Sequence, residues 1–162
     1  MKLVMKEAEM KYFEDYFYLR SDTHNMIWSG HKELPDHERL QKWFKENLER
    51  NDRKTFLFFS EGKIAGYLYL DDKPDKCMDI GYGVHHTYNG RGFGTEIIQR
   101  AIDHCSTHSV KCIEAWVADS NKASIRVFEK NGFHSTKEKK EVVFASSGKP
   151  EPFTKYIFPI AN

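Results

Sequence analysis

The run Asp79-Ile-Gly-Tyr-Gly-Val-His-His-Thr-Tyr-Asn-Gly-Arg-Gly-Phe-Gly-Thr95 has the composition of an anion site. It reads as a strand, a glycine-rich turn and a helix beginning near Thr95. Gly90, Gly92 and Gly94 alternate, so no side chain crowds the backbone over the turn. The amides of Asn89, Gly90, Arg91, Gly92, Phe93, Gly94 and Thr95 can converge on one group. The positive end of the helix lies behind them, which suits phosphate or pyrophosphate. A Rossmann turn is spaced Gly-x-Gly-x-x-Gly and starts tightly at its strand end. Here the spacing is Gly-x-Gly-x-Gly, and five residues separate Val84 from Gly90. No P-loop run is present. Proton carriers gather around the same strand: Asp79 and Tyr82 on it, His85 and His86 beyond it, Glu114 and Glu141 on later apolar runs. The two histidines are adjacent, so on a strand they face opposite ways. No third ligand is evident, and no metal site is expected.

The elements that must position these groups follow from pattern. Leu3-Val4-Met5 starts a short strand, and residues 10–30 are irregular and aromatic. Pro35 opens a helix with Leu40, Trp43, Phe44 and Leu48 on one face. Residues 55–59 and 64–70 form a hairpin across Ser60-Glu-Gly-Lys63, and Met78 to Val84 is the next strand. A helix from about Thr95 to His104 buries Ile97, Ile98, Ala101 and Ile102. Cys112 to Ala118 is a strand, and Ser120 or Asn121 caps a helix that stops at Asn131-Gly132. Residues 141–145 and 153–158 are two final strands across a Ser-Ser-Gly-Lys-Pro turn. The order is hairpin, strand–helix–strand–helix, hairpin: an α/β (α+β) domain with a mixed, largely antiparallel sheet.

Composition bounds the rest. The chain has 162 residues, which suits a single domain over residues 1–162 that buries about 70% of its unfolded surface. A net charge of +1 gives no field for nucleic acid and no polybasic tail for a membrane. No run is apolar enough to cross a bilayer, and Met1 to Glu7 lacks the apolar stretch of a signal peptide. Cys77, Cys105 and Cys112 lack zinc-finger spacing and read as reduced thiols in a cytoplasm.

A second motif stands one helix and one strand after the glycine run: Asn121-Lys-Ala-Ser-Ile-Arg-Val-Phe-Glu-Lys-Asn-Gly-Phe133. Together the two closely resemble the signature motifs of the GNAT N-acetyltransferase superfamily, in the branch of ribosomal-protein N-terminal and sugar-nucleotide N-acetyltransferases. The resemblance runs from about residue 53 to the end and is loose over residues 10–50. It implies a twisted sheet of six or seven strands flanked by about four helices. It also implies acetyl-CoA (coenzyme A after transfer) as co-substrate. The glycine-loop residues named above would hold the pyrophosphate. Strands 78–84 and 111–118 would splay around the pantetheine arm, with the amide of Val84 turned to the thioester carbonyl. Such a donor is worth about 3 kcal/mol to an oxyanion. Asn121 would bond the pantetheine amides, and Ser124 and Phe128 would also face the cofactor. The family typically has Arg or Gln at the position of Asn89. Many members place a tyrosine where Phe128 stands, to protonate the departing thiolate. Phenylalanine cannot do that; Ser124, one turn earlier, offers a hydroxyl for the role, or is the small residue that lets coenzyme A approach.

Attack on a thioester needs a neutral amine. Only about 0.04% of a lysine-type amine is neutral at pH 7, against about 10% of an α-amine. Asp79, Glu114, Tyr82, His85, His86, Glu141 or a water one of them relays could be the base. The expected acceptor is a primary amine of a small molecule, an amino-sugar nucleotide among them, or a protein N-terminus, attacking directly in a ternary complex. A sugar nucleotide would need a basic, aromatic pocket near Arg20, Trp28 and His31, and a peptide an open acidic groove. The alternative is a non-catalytic coenzyme A-binding sensor or interaction module. Family practice also implies a homodimer through the late strands.

Overall fold

The computed structural model describes residues 2–26, 28, 31–144 and 147–161. Its strands are β1 (Leu3–Glu7), β2 (Arg53–Ser60), β3 (Lys63–Asp72), β4 (Cys77–Val84), β5 (Cys112–Ala118), β6 (His134–Val143) and β7 (Pro150–Pro159). Its helices are α1 (Phe13–Arg20), the single turn α2 (Thr23–Met26), α3 (His37–Leu48), α4 (Phe93–Ser106) and α5 (Lys122–Lys130). The seven strands form one sheet in the order β1-β2-β3-β4-β5-β7-β6. β4 and β5 pair in parallel, and the other neighbours are antiparallel. This is the mixed, mostly antiparallel α/β architecture that the pattern implies.

Strand alternation sorts the apolar residues into two cores. On one face Phe56, Phe58, Leu68, Leu70, Met78 and Ile80 pack against Ile97, Ile98 and Ala101 of α4. On the other, Leu57, Phe59 and Ile64 pack against Phe13, Tyr16 and Leu19 of α1 and Leu40 and Phe44 of α3. A register shift at Phe58/Phe59 leaves Ala65 of β3 without a register partner and sets Ile64 opposite Phe59.

The register between β4 and β5 matters most for function. It runs from Cys77↔Cys112 to Asp79↔Glu114 and stops. Beyond it β4 stays with β3 as far as Val84, and β5 stays with β7 as far as Ala118. The sheet therefore opens between β4 and β5, and the glycine loop and the start of α5 follow the ends of the two parted strands.

Four expectations need correcting. Residues 10–26 are not irregular: a 3-10 turn, α1 and α2 occupy them. The apolar residues of α1 lie all round it, so no 3.6-residue stripe announces the helix. α4 begins at Phe93, not Thr95, because Gly92 takes the N-cap position with φ 80°. β6 starts at His134 and is exposed over most of its length; its Lys/Glu-rich sequence carries no apolar alternation, and pairing with β7 holds it. Finally, Cys77 and Cys112 are not reduced thiols but a disulfide. They are direct register partners 4.6 Å apart at Cα, a proximity that 35 residues of separation conceal. Cys105 remains a buried thiol. Ala145 and Ser146, where one predicted strand ends and its turn begins, lie outside the described residues, as does Ile27. Among the described residues no helix is long and apolar enough to cross a membrane.

Candidate active site

A cleft of about 620 Å³ occupies the opening in the sheet. Tyr82, Gly83 and Val84 of β4 form its floor, the glycine loop and first turn of α4 one wall, and Asn121, Ser124 and Val127 another. Leu19, Arg20, Asp22, His24, Met26 and Trp28 close the far side.

Each glycine of the loop has its own reason. Gly90 and Gly92 have φ of 78° and 80°, a region where an L side chain is strained. No atom lies within 4 Å of a Cβ built at either, so their need is conformational. A Cβ at Gly94 would meet Tyr82 and Val127 at 3.4 Å, so Gly94 lets α4 approach α5 and β4. The 14-residue helix α4 then directs its first amides at the cleft. Bare amides, a helix N-terminus and no acidic side chain in the loop fit a diphosphate.

Asn121 caps α5, its Oδ1 accepting from the Ser124 amide at 3.3 Å, and its side chain lines the cleft. Asn131 ties the other end of α5 to α4, donating to the Thr95 carbonyl at 3.2 Å. Ser124 Oγ lies 3.1 Å from the Tyr82 hydroxyl. Burial pushes the Tyr82 phenol above its usual value, and the Ser124 bond offsets only part of that. The phenol therefore stays protonated across neutral pH.

The predicted residues divide by position. Val84, Asn89, Gly90, Gly92, Phe93, Gly94, Thr95, Asn121, Ser124 and Tyr82 all line the cleft. Arg91 does not; its guanidinium sits 5.6 Å over the Tyr88 ring. Phe128 is buried, edge-on to Tyr82 at 5.6 Å, and braces that ring rather than facing the cleft. Asp79 and Glu114 are absent from the lining. They sit at the closed, paired end of the strands, and five residues from Asp79 to Val84 amount to about 17 Å of strand. Glu114 is 4% exposed and held by Lys73 at 2.6 Å and Lys155 at 3.2 Å. Burial pushes its carboxyl up, but the two lysines outweigh that and hold it below its ordinary value. Burial also raises Asp79.

Asp22 is the residue that pattern reading misses. It is 5% exposed and accepts from the backbone amide of His86 at 2.8 Å and from His86 Nδ1 at 2.7 Å. The His24 ring stacks on His86 at 3.8 Å. Donor atoms of Asp22, His85 and His86 lie within 4.8 Å of one another, so the histidines do have a third neighbour. Hydrogen bonds account for the group: His86 donates to Asp22, and His85 Nδ1 accepts from the Thr87 amide. An aspartate 64 residues from its partner leaves no local signal.

A sheet that splits beside a glycine loop and helix N-terminus is the frame of an acyl-transfer fold built around an extended cofactor. The model of the acetyltransferase (GNAT) family matches residues 9–133, and the chain belongs to that family, whose class is N-acetyltransferase. The Bacillus subtilis (strain 168) protein named Probable N-acetyltransferase YjcK is 27% identical over 139 residues, covering 82% of this chain and 72% of that one. The crystal structure of spermidine N-acetyltransferase from Vibrio cholerae with CoA and spermine superposes with a TM-score of 0.85 at 17% identity, over 97% of this chain and 95% of that one. RimL, a ribosomal alpha-N-protein acetyltransferase solved with coenzyme A, gives 0.83 at 20% identity, over 99% and 95%. At these identities the two structures speak for the fold.

Proposed function

We propose that this chain transfers the acetyl group of acetyl-CoA to a primary amine by direct attack in a ternary complex. The carrying observation is the parting of β4 and β5 after Asp79 and Glu114, with the Gly90–Gly94 loop at the mouth of the gap. Gly90 to Thr95 would hold the diphosphate, Asn121 the pantetheine amides, and the thioester would sit at Val84.

The amine nitrogen attacks the carbonyl carbon, the C–S bond breaks, the amine gives up a proton and the thiolate takes one. An ionised carboxylate only accepts hydrogen bonds. Asp22 therefore keeps the His86 proton on Nδ1 and leaves Nε2 as acceptor. His86 does not itself line the cleft but is bonded to Asp22 and stacked on His24, which do; two residues past Val84, it takes the amine proton through water, with Asp22 as its positioning residue. Ser124, backed by the Tyr82 phenol, returns a proton to the thiolate. A cytoplasmic site goes with this reading; there Cys77–Cys112 is exposed to a reducing pool.

The test is thiol release from acetyl-CoA over a panel of amines, with Asn121→Asp as control. That variant keeps the cap oxygen and loses the amide donor. Release with one amine class, weakened in the variant, supports the reading. Acetyl-CoA binding without turnover of any amine favours the non-catalytic module instead, and no binding removes both.

A further inference from the structure

Arg20, the last residue of α1, stands where two cavities meet. It lines the cleft described above and a second cavity of about 290 Å³, shared with Met26, His31, Glu33, Arg39 and Trp43 among others. Its side chain is largely sheltered. Nη1 donates to the Tyr16 hydroxyl at 2.8 Å, and the guanidinium lies 5.7 Å over the Tyr16 ring and 5.9 Å from the Trp43 ring. Tyr16 in turn is hydrogen-bonded to Tyr69.

Among the described residues Arg20 makes no ion pair, although Arg50, Arg53 and Arg100 all do. The acids nearby are engaged elsewhere: Asp22 holds His86, and Asp36 caps α3 at the Arg39 amide. Glu33 is exposed at the rim of the second cavity. His31, across that cavity, is held below its ordinary value by burial and then by the charge of Arg20. A sheltered guanidinium with several donors to spare and, among the described residues, only a phenol as hydrogen-bond partner is an unmatched charge. Its planar fork suits a carboxylate or phosphate.

We propose that Arg20 receives an oxyanion carried by the amine acceptor, so that the substrate is an amine bearing a carboxylate or phosphate rather than a simple polyamine. The inference rests on the acetyltransfer reading above and narrows its substrate. The anion lies against Arg20 where the two cavities meet, beside Trp43, while the amine reaches back to the Val84 end of β4. A polyamine would instead bring positive charge against Arg20 in a sheltered site, where like charges are costly.

The experiment compares matched amines in the wild-type chain: ornithine against putrescine for the carboxylate, glucosamine 6-phosphate against glucosamine for the phosphate. The expected result is at least about 10-fold higher kcat/KM for one anionic member over its partner, carried in KM. Arg20→Met and Arg20→Lys should lower kcat/KM for the anionic member far more than for the member that lacks the anion, erasing most of that ratio. A merely structural role would lower both members alike. Equal turnover of both members, or a ratio unmoved in both variants, overturns the inference and leaves acetyltransfer standing. Turnover of neither pair despite acetyl-CoA binding overturns the inference, and no acetyl-CoA binding overturns the parent reading with it.

Discussion

The Tyr82 hydroxyl on β4 stands 3.1 Å from Ser124 Oγ on α5. The contact crosses the gap that opens where β4 and β5 cease to pair, and both residues face the cleft. Phe128, behind Tyr82, fixes the ring. A serine one turn earlier than the expected tyrosine thus gains a phenol from another element.

This pair predicts a shared loss. Ser124→Ala should lower kcat by about 10- to 100-fold with little change in the KM for acetyl-CoA. Tyr82→Phe should lower it less, and the double variant should be no worse than Ser124→Ala. Steady-state kinetics of the three variants reads the coupling; fully additive losses would assign the residues separate tasks.

Asp22→Asn should lower kcat by about 10-fold or more, because the one amide oxygen of Asn cannot replace both carboxylate oxygens, which accept separately from the His86 amide and Nδ1. The KM for acetyl-CoA should hold. The loss should shrink as the pKa of the amine falls, since an amine already neutral needs less of a base. A loss equal for all amines would make Asp22 a scaffold residue only.

Glu114 sets an acid limit on stability. Its folded value lies below the unfolded one. Its contribution is therefore present above about pH 4.5 and lost as pH falls through the folded value. Glu114→Gln, which leaves Lys73 and Lys155 facing each other's charge, should cost about 3 kcal/mol at pH 7. The gap to wild type should close toward pH 3. Thermal melts across pH 3–7 check this; a gap independent of pH would refute it.

The Cys77–Cys112 bond closes a 35-residue separation at the paired end of β4 and β5. Reduction, or Cys77→Ser with Cys112→Ser, should cost about 3 kcal/mol, a fall in Tm of roughly 6–12 °C. Acetyl transfer at 25 °C should persist, because the bond lies at the opposite end of the strands from Val84. Melts with and without reductant, paired with an activity assay, decide both points.

The sequence by itself determined the elements whose signals are local. Short apolar runs rich in aromatic and branched residues mark β2, β3 and β4, a 3.6-residue stripe marks α3 and α4, and Asn121 with Gly132 brackets α5. The glycine loop is equally local, since positive φ at Gly90 and Gly92 is a property of single residues. Tertiary structure alone decided which side chains meet. Asp22 and His86 are 64 residues apart, Tyr82 and Ser124 are 42 apart, and Cys77 and Cys112 are 35 apart. It also removed Asp79 and Glu114 from the cleft, because the point at which two strands stop pairing is set by packing along the whole sheet. Arg20 reads from sequence as one basic residue of an acceptor pocket, and only the folded chain shows it set between two cavities with no ion pair among the described residues. Local backbone preference is written residue by residue, whereas a site is a set of distances between residues that only the folded chain brings within reach.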